Sequence, residues 1–412
     1  MKKIFVILLC TVMLSARPSK GVKTGADILF ESKTELIDGK RVALITNHTA
    51  MLANGKHLAD ALSQYEKTKL VVLFGPEHGI RGDAPDGRTI RDTVDPKTGV
   101  PVYSLYGTIN KPTPEMLKDV DVILFDIQDV GARFYTFIST MFLGMEAAAE
   151  GNIHFVVLDR PNPITGTRVE GPIRVDSLKT FVGWVPIPIV HGMTVGELAV
   201  MANTSGWLKD KKTVKLTVVK MERWKRTMWY DETGLSWIKP SPNMASVNTA
   251  VVYPGLCLIE GINVSEGRGT ERPFEMIGAP WIDGNILAKT LNTAKLPGVT
   301  FKPVNFTPVE IPGIASNPKY KGKQCGGVQI NVTNRKTFEA VKTGLTVVHG
   351  IYSLYIDSLE FRDRGFDRLA GTPAVREMIQ RRKSVREIEQ TWSLKLKQFI
   401  QQRKKALLYL DK

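Results

Sequence analysis

The stretch Leu70-Val-Val-Leu-Phe-Gly-Pro-Glu-His-Gly79 joins a continuous apolar run to a tight turn. A short apolar run bounded by glycine and proline predicts a buried strand. Glycine and proline also fix the turn, so Glu77 and His78 are expected at the end of that strand. Ligands of open α/β sheets bind just outside the carboxyl ends of the strands. This turn is therefore a candidate for the chemical centre.

Strand-like and helix-like segments alternate on both sides of this run. The predicted strands cover residues 41–46, 70–74, 100–105, 120–126 and 153–159, with a weaker sixth at 185–190. Helix starts are predicted at Thr113-Pro114-Glu115 and at the capping box Thr194-x-x-Glu197. Short apolar strands separated by helices predict a mostly parallel sheet covered on both faces, a Rossmann-like α/β layout. No G-x-G-x-x-G follows a predicted strand, which excludes a dinucleotide site of that type.

The second half of the chain is less regular. Strand-like residues 214–219 and 328–332 bracket a loop-rich region at 230–285, and helical patterns dominate from residue 338. We predict a Rossmann-like catalytic domain over residues 20–205 and a smaller α+β auxiliary domain over residues 206–412. A chain of 412 residues is long enough for two such cores.

The N-terminus has the pattern of an export signal. Lys2 and Lys3 precede the apolar residues 4–14, and small residues follow, so residues 1–16 are predicted to be a signal peptide. This stretch is too short to span a membrane, and no later segment reaches about 18 consecutive apolar residues. The mature protein is expected to be exported, periplasmic or secreted, without an integral membrane segment. Export permits a disulfide between Cys257 and Cys325, and two free thiols are an equal alternative.

The chain is basic. Its formal net charge of +15 becomes +13 once Lys2 and Lys3 are removed. A basic exported protein suits polyanionic partners such as cell-wall polymers or membrane surfaces. The Lys- and Arg-rich residues 376–405 have helical spacing, which is typical of a solvated helix face. No nucleic-acid motif accompanies them, so no nucleic-acid partner is predicted.

Polar side chains follow four of the predicted strands. Because the carboxyl ends of parallel strands share one edge of a sheet, these groups are expected to meet in one crevice. They are Asn47 and His48, Glu77 and His78, the segment 126–133 with Asp126, Gln128 and Arg133, and finally Asp159 and Arg160.

Three further segments carry charge in an unusual setting. Glu170 lies in a rigid Gly-Pro turn, and residues 265–273 pack two glutamates and two arginines around glycines. The second segment is either an exposed loop with self-paired charges or a loop whose glycines let the backbone approach a ligand. The aspartates between Asp83 and Asp95 suggest a hard-metal loop, but their spacing is not that of an EF-hand. A G-x-S-x-G nucleophile elbow is absent.

These blocks together resemble the NamZ-type exo-β-N-acetylmuramidase family over nearly all of the mature chain. The resemblance is carried by the blocks 75–79, 126–135, 159–163, 169–172 and 265–270. It implies an exo-acting glycoside hydrolase that releases terminal N-acetylmuramic acid from the non-reducing end of peptidoglycan fragments in cell-wall turnover and recycling. It also implies a cleft between a Rossmann-like domain and an auxiliary domain, with no metal or organic cofactor.

Glycoside hydrolysis usually needs a carboxylic acid that protonates the leaving oxygen and a second group that acts on the anomeric carbon or on water. Glu77 is our candidate for the general acid or main catalytic carboxylate, and His78 is placed to orient it. Candidates for the second group are Glu170, Asp126 and Glu266, in falling order. Participation of the sugar's own acetamide is the alternative, and the sequence does not rank the two routes.

Muramic acid carries a lactyl carboxylate, which a guanidinium can hold at two points. Arg133, Arg160 and Arg268 are therefore candidates for selectivity over N-acetylglucosamine, and Tyr135 or Trp281 for packing against the sugar ring. Two other functions remain open. One is a peptidoglycan-binding module without turnover, and the other is a metal-dependent hydrolase that uses the Asp83–Asp95 loop.

Overall fold

The computed structural model describes residues 21–82 and 93–410. Its main sheet has seven strands in the order β3-β4-β2-β1-β5-β6-β7. Every neighbouring pair is parallel except β3 with β4. The strands are β1 (Arg41–Thr46), β2 (Lys69–Gly75), β3 (Thr93–Val94), β4 (Pro101–Ser104), β5 (Val122–Asp126), β6 (His154–Leu158) and β7 (Leu216–Val219).

Helices cover both faces of this sheet, as the apolar strands require. Alternate residues of a strand point to opposite faces. Val42 and Leu44 accordingly belong to one buried cluster, whereas Ala43 and Ile45 belong to another. The first cluster includes residues of α1 and α2, and the second includes residues of α3 and α4. The helices are α1 (Gly25–Ser32), α2 (Leu58–Ser63), α3 (Phe137–Glu150) and α4 (Val195–Thr204).

The second unit is built on an antiparallel sheet of three strands in the order β8-β10-β9. Its strands are β8 (Met276–Ala279), β9 (Val299–Phe306) and β10 (Cys325–Val332). Seven helices surround it: α5 (Val247–Leu256), α6 (Gly284–Thr293), α7 (Ala340–Leu354), α8 (Asp363–Ala370), α9 (Ala374–Gln380), α10 (Val385–Gln390) and α11 (Ser393–Arg403). Glycines let α5 and α7 cross closely, because a Cβ on Gly255 would lie 1.9 Å from the carbonyl oxygen of Ala340.

The α/β class and the mostly parallel sheet confirm the expectation from the sequence. The sixth strand predicted at residues 185–190 is wrong, because Pro186 and Pro188 remove the N–H groups that a strand needs. Only Val190 makes bridges there, to Ala132 and Glu170. The sheet is completed instead by β7, which lies beyond the domain boundary predicted at residue 206.

Two smaller expectations are also settled. The helix predicted to start at Thr113 is wrong: the segment makes turns only and then enters β5. Cys257 and Cys325 are both buried and free, so the alternative of two thiols is the one found. The residues predicted to be a signal peptide lie outside the described chain. Within residues 21–82 and 93–410, no helix has both the length and the apolar character needed to cross a membrane.

The two units share one continuous apolar core, and partly buried polar contacts of Arg168 and Glu170 join them along a line that we call the interdomain seam. Arg168 donates to the carbonyls of Arg335 at 2.7 Å and Lys336 at 2.8 Å, and also to that of Phe338. Glu170 accepts from the backbone N–H of Val341 at 3.0 Å, in the first turn of α7. The main sheet and the helical second half are therefore joined by directional bonds as well as by apolar packing.

Candidate active site

The turn after β2 holds its residues in a constrained backbone. His78 and Gly79 have φ angles of 73° and 74°, and the N–H of Gly79 donates to the carbonyl of Pro76 at 3.0 Å. A histidine in the left-handed region is uncommon, and such strain concentrates at functional sites. Glu77 is half-buried at the end of β2, and the neighbouring residue His78 is buried.

The N-terminus of α3 faces this turn. Thr136, the residue before the helix, donates its hydroxyl to Oε2 of Glu77 at 3.3 Å. The helix has 14 residues, and its N-terminus carries a partial positive charge that favours a neighbouring anion. The end of β2 and the loop after β5 thus form two adjacent walls of one site.

A small cleft of about 100 Å³ opens above these walls. Five phenylalanine and tyrosine rings give it an apolar side. The ring centroids of Tyr135 and Tyr253 lie 5.9 Å apart, and those of Tyr253 and Phe274 lie 4.8 Å apart, both edge to face. The described residues that line the cleft are Glu77, His78, Phe134, Tyr135, Thr136, Phe137, Ser241, Met244, Tyr253, Arg268 and Phe274.

Arg268 brings a guanidinium to this cleft from the second unit. It donates to Oε1 of Glu260 at 2.9 Å and lies 5.3 Å from the ring centre of Phe274. Its Nε is 3.5 Å from Glu266. The loop is mostly buried and not exposed, Arg268 pairs within it with Glu266, and the approach of its backbone to a ligand stays a prediction.

Two glycines shape the loop at residues 265–273, which we call the Arg268 loop. Gly267 and Gly269 have φ angles of 79° and 78°. A Cβ on Gly267 would lie 2.4 Å from the carbonyl oxygen of Met276, and one on Gly269 equally close to that of Val309. Only glycine fits such positions without strain. The loop is pinned between two other backbone segments, which fixes where Arg268 begins.

Asp126 and Arg160 are brought together, but with each other rather than with the cleft. Their side chains form a buried two-point ion pair, in which Nη2 of Arg160 lies 2.9 Å from Oδ2 of Asp126 and Nε contacts Oδ1. The charge of Asp126 holds the pKa of Arg160 above its usual value against the opposing effect of burial. This pair closes the carboxyl ends of β5 and β6 instead of lining the site.

Asn47 and Gln128 lie at the ends of the adjacent strands β1 and β5. Thr49 connects them, because its hydroxyl donates to Oδ1 of Asn47 at 2.6 Å and accepts from the N–H of Gln128 at 3.0 Å. Gln128 also donates to the carbonyl of Pro161 at 2.8 Å. These buried amides tie the strand ends to one another and do not line the cleft.

Asp159 is buried after β6 at the start of α4. Its carboxylate accepts from Thr194 at 2.7 Å, from the N–H of Gly196 at 2.8 Å and from the hydroxyl of Tyr409 at 2.6 Å. Burial raises its pKa to about 7, although these donors act in the opposite sense. The contacts make Asp159 an anchor for α4 and for the C-terminal segment.

Arg133 and Glu170 also lie apart from the cleft lining. The guanidinium of Arg133 donates to the carbonyls of Pro172 at 2.7 Å, Ile187 at 2.9 Å and Leu369 at 2.7 Å, and its burial lowers its pKa to about 9. Glu170 belongs to the interdomain seam, where burial raises its pKa. Both side chains hold the two units together.

Several cleft residues were missed from the sequence. Thr136, Ser241, Met244, Tyr253 and Phe274 come from segments with no reactive pattern. The Pro-rich turn at residues 240–244 is the one signal that marks an ordered loop. It is braced where the ring Nε2 of His48 meets the carbonyl of Lys239 at 2.8 Å. Trp281, by contrast, contacts Tyr320 and Tyr355 and is not part of the cleft lining.

The aspartate-rich loop after Glu77 is described only at its end. Asp95 forms a two-point ion pair with Arg81 at 3.0 and 2.8 Å. Asp83, Asp86 and Asp92 lie outside the described residues. Across residues 21–82 and 93–410, no three His, Cys, Asp or Glu side chains gather in a way that would hold a metal ion.

Comparison with known proteins agrees with this architecture. Residues 42–248 match the family described as exo-beta-N-acetylmuramidase NamZ, N-terminal, and residues 251–409 match its C-terminal counterpart. The chain is 50% identical over 389 residues to the peptidoglycan beta-N-acetylmuramidase NamZ of Bacillus subtilis, covering 94% of this chain and 91% of that protein.

Two crystal structures of DUF1343 family proteins from Bacteroides fragilis share the fold. Both are 38% identical to this chain, with TM-scores of 0.88 and 0.77. Each alignment covers 95% of this chain, and 100% and 99% of the other chains respectively. The two family matches meet near residue 250, within α5 and close to where the structure passes from the first unit to the second. The chain therefore belongs to the NamZ exo-β-N-acetylmuramidase family.

Proposed function

We propose that this protein removes terminal N-acetylmuramic acid from the non-reducing end of peptidoglycan fragments, in cell-wall turnover and recycling. The observation that carries the proposal is the position of Glu77. Its carboxylate lies at the end of a central parallel strand and lines a cleft that both units build. Family membership supplies the reaction, and the cleft supplies a site of the right chemical kind.

Glu77 is the proposed proton donor to the glycosidic oxygen. A general acid must reach the leaving oxygen directly, and Glu77 lines the cleft while Thr136 orients one of its oxygens. His78 is the proposed support of the turn, because its left-handed backbone sets the direction in which Glu77 leaves the strand. Tyr135 is the proposed packing surface for the sugar ring.

Arg268 is the proposed binding group for the lactyl carboxylate. Of the three arginines considered, it is the one that lines the cleft. Arg133 is engaged with backbone carbonyls and Arg160 with Asp126, so neither has its guanidinium directed to a ligand. A planar guanidinium matches a carboxylate in two-point geometry.

For the second catalytic group we propose the substrate's own acetamido oxygen. Each protein carboxylate considered for the role is engaged elsewhere: Glu170 with Val341, Asp126 with Arg160, and Glu266 with Lys319. Attack by the acetamido oxygen on the anomeric carbon breaks the glycosidic bond, and Glu77 protonates the departing oxygen. Water then opens the resulting oxazolinium ring from the β face and returns a proton to Glu77, so the product retains the β configuration. Proton NMR of the first-formed sugar tests this, and initial release of the α anomer would reject it.

The cellular site is also a proposal. An apolar segment after Lys2 and Lys3 supports export to the periplasm or the medium, where peptidoglycan is found. N-terminal sequencing of protein recovered outside the cytoplasm should begin shortly after residue 16. Recovery only from the cytoplasm, with Met1 retained, would contradict export.

The deciding assay uses a chromogenic β-N-acetylmuramide and its N-acetylglucosamine counterpart. The wild type should release the chromophore from the muramide far faster, and should do so in the presence of a chelator. Glu77→Gln should lower kcat by roughly a hundredfold or more while the sugar still binds, as expected for loss of acid catalysis. Glu115→Gln, at the opposite edge of the sheet, serves as the control. No release by the wild type would reject the proposed function in favour of a binding module, and loss with the chelator would favour a metal-dependent hydrolase.

A further inference from the structure

Lys319 occupies an unusual place for a lysine. Its side chain is only 16% exposed, and its ammonium donates to the carbonyls of Ile259 at 3.0 Å, Ile262 at 2.8 Å and Val264 at 2.9 Å. These carbonyls lie around the end of the helical segment that continues from α5. Carbonyls at a helix end lack partners within the helix, and a cation is favoured there. Lys319 thus holds together, by hydrogen bonds to its carbonyls, the segment that leads into the Arg268 loop.

The same ammonium reaches the carboxylate of Glu266. Its Nζ lies 3.0 Å from Oε2 of Glu266, whose side chain is 6% exposed. The other oxygen of Glu266 faces Nε of Arg268 at 3.5 Å. One buried carboxylate therefore lies between two cations, one behind the cleft and one in its lining.

We propose that Lys319 is a positioning residue for Arg268 and acts on it through Glu266. The inference rests on the proposed function, because it assigns Arg268 the role of binding the sugar's carboxylate. Lys319 itself is outside the cleft lining and contacts neither Glu77 nor Arg268 in the described contacts.

Charge balance explains how the effect is transmitted. Arg268 now lies closer to Glu260, at 2.9 Å, than to Glu266, at 3.5 Å. Lys319 supplies the positive charge that Glu266 requires, since a buried carboxylate without a cation is costly. Without Lys319, Arg268 becomes the neighbouring cation of Glu266 and is drawn towards it. The guanidinium then turns from the cleft, and the site loses its preference for a sugar with a carboxylate.

The test compares Lys319→Met with Lys321→Met, a matched control. Lys321 lies two residues further on and forms an exposed ion pair with Glu310. Steady-state kinetics are measured on the chromogenic N-acetylmuramide and on its N-acetylglucosamine counterpart, which lacks the lactyl carboxylate. For Lys319→Met we expect a KM about tenfold higher on the muramide, a kcat within about twofold, and an unchanged slow rate on the glucosaminide. Lys321→Met should behave as the wild type on both substrates.

A second pair of variants tests the route through Glu266 and guards against a variant that fails to fold. Glu266→Gln removes the carboxylate towards which Arg268 would be drawn, so on its own it should leave the preference for the muramide within about twofold of the wild type. Adding Lys319→Met to Glu266→Gln should then change the muramide KM by less than about twofold, because the two residues act through one contact.

The outcomes separate the two proposals. An unchanged preference in Lys319→Met, or a tenfold rise in the muramide KM that persists in the double variant, would overturn the positioning role. If Lys319→Met does not fold, a tenfold higher muramide KM in Glu266→Gln alone is enough to do so. A wild type that leaves the muramide intact would instead reject the proposed function, whatever the variants do.

Discussion

The hydroxyl of Thr136 and the carboxylate of Glu77 meet at 3.3 Å, where the N-terminus of α3 faces the end of β2. The two residues are 59 positions apart in the chain and come from strands that β1 separates in the sheet. One hydrogen bond thus joins the N-terminus of α3 to the end of β2 in the lining of the cleft.

Replacing Thr136 by valine keeps the shape of the side chain and removes this hydrogen bond. We expect kcat on the muramide to fall about tenfold or more, because a hydrogen bond to a charged group contributes about 1.5–3 kcal/mol. Thr136→Ser retains the hydroxyl and should keep most of the activity. Equal losses in the two variants would show that the methyl group, and not the donor, matters.

Glu170→Gln should affect stability far more than turnover. The carboxylate accepts from Val341 and Arg168 in the interdomain seam, so its neutralisation weakens contacts between the units. We expect a loss of about 1–3 kcal/mol in the free energy of unfolding, measured by urea denaturation, with kcat within about twofold. A hundredfold fall in kcat at unchanged stability would instead make Glu170 a catalytic carboxylate.

Arg160→Met should be strongly destabilising, since it leaves Asp126 buried without its cation. We expect the free energy of unfolding to fall by about 3–5 kcal/mol. The double variant with Asp126→Asn should recover part of that loss, because no charge remains buried. Urea denaturation of the two single variants and the double variant measures the coupling. Additive losses would contradict a direct pair.

Asp129 and His191 form a buried pair with opposite shifts. Nε2 of His191 lies 3.9 Å from Oδ2 of Asp129. Burial raises the pKa of Asp129 to about 7. Burial, with Arg403 and Arg133 nearby, lowers the pKa of His191 to about 3. The ordinary pKa values of the carboxyl and the imidazole are 3.8 and 6.5. Between these pH values, folding therefore moves a proton from the imidazole of His191 to the carboxyl of Asp129, and the protein takes up no net proton.

Single variants should reveal the two opposing slopes. In Asp129→Asn, His191 is the one member of the pair that still titrates. Its pKa in the folded protein is depressed, so stability should rise as the pH increases from about 3 to 6.5. With His191→Gln only Asp129 titrates, and since its folded pKa is raised, stability should fall from about pH 4 to 7. Each slope approaches about 1.4 kcal/mol per pH unit, relative to the wild type. Parallel curves for both variants and the wild type would contradict the transfer.

The strands were predictable because they are short apolar runs with both faces covered, as β1, β2, β5 and β6 show. Residues 185–190 have the same apolar character, but Pro186 and Pro188 lack the N–H groups that the hydrogen bonds of a strand require. Residues 216–219 alternate in polarity and were assigned to the second unit, yet they pair with β6. Apolar content is thus a local signal, whereas the choice of partner strand depends on contacts between distant parts of the chain.

The candidate site was predictable where chemistry and turn residues coincide, as at Glu77 and Arg268. The other strand-end residues are equally polar, but the fold pairs them among themselves: Asp126 with Arg160, and Asn47 with Thr49. A sequence shows which groups need a partner but not whether a neighbour or a ligand supplies it. The aromatic residues Tyr253 and Phe274 have no sequence signal, because an apolar ring has the same character in a core and in a cleft.

The interdomain seam has a consequence for how a sugar enters. Arg168 and Glu170 bind backbone groups of the second unit, and the apolar core runs through without a break. Such a junction opposes separation of the units, so the walls that carry Glu77 and Arg268 are expected to move together. The loss of entropy on ordering these walls occurs once, during folding, and is not repeated at each encounter. The cleft is therefore formed before the end of a sugar chain binds, and binding does not require the two units to close.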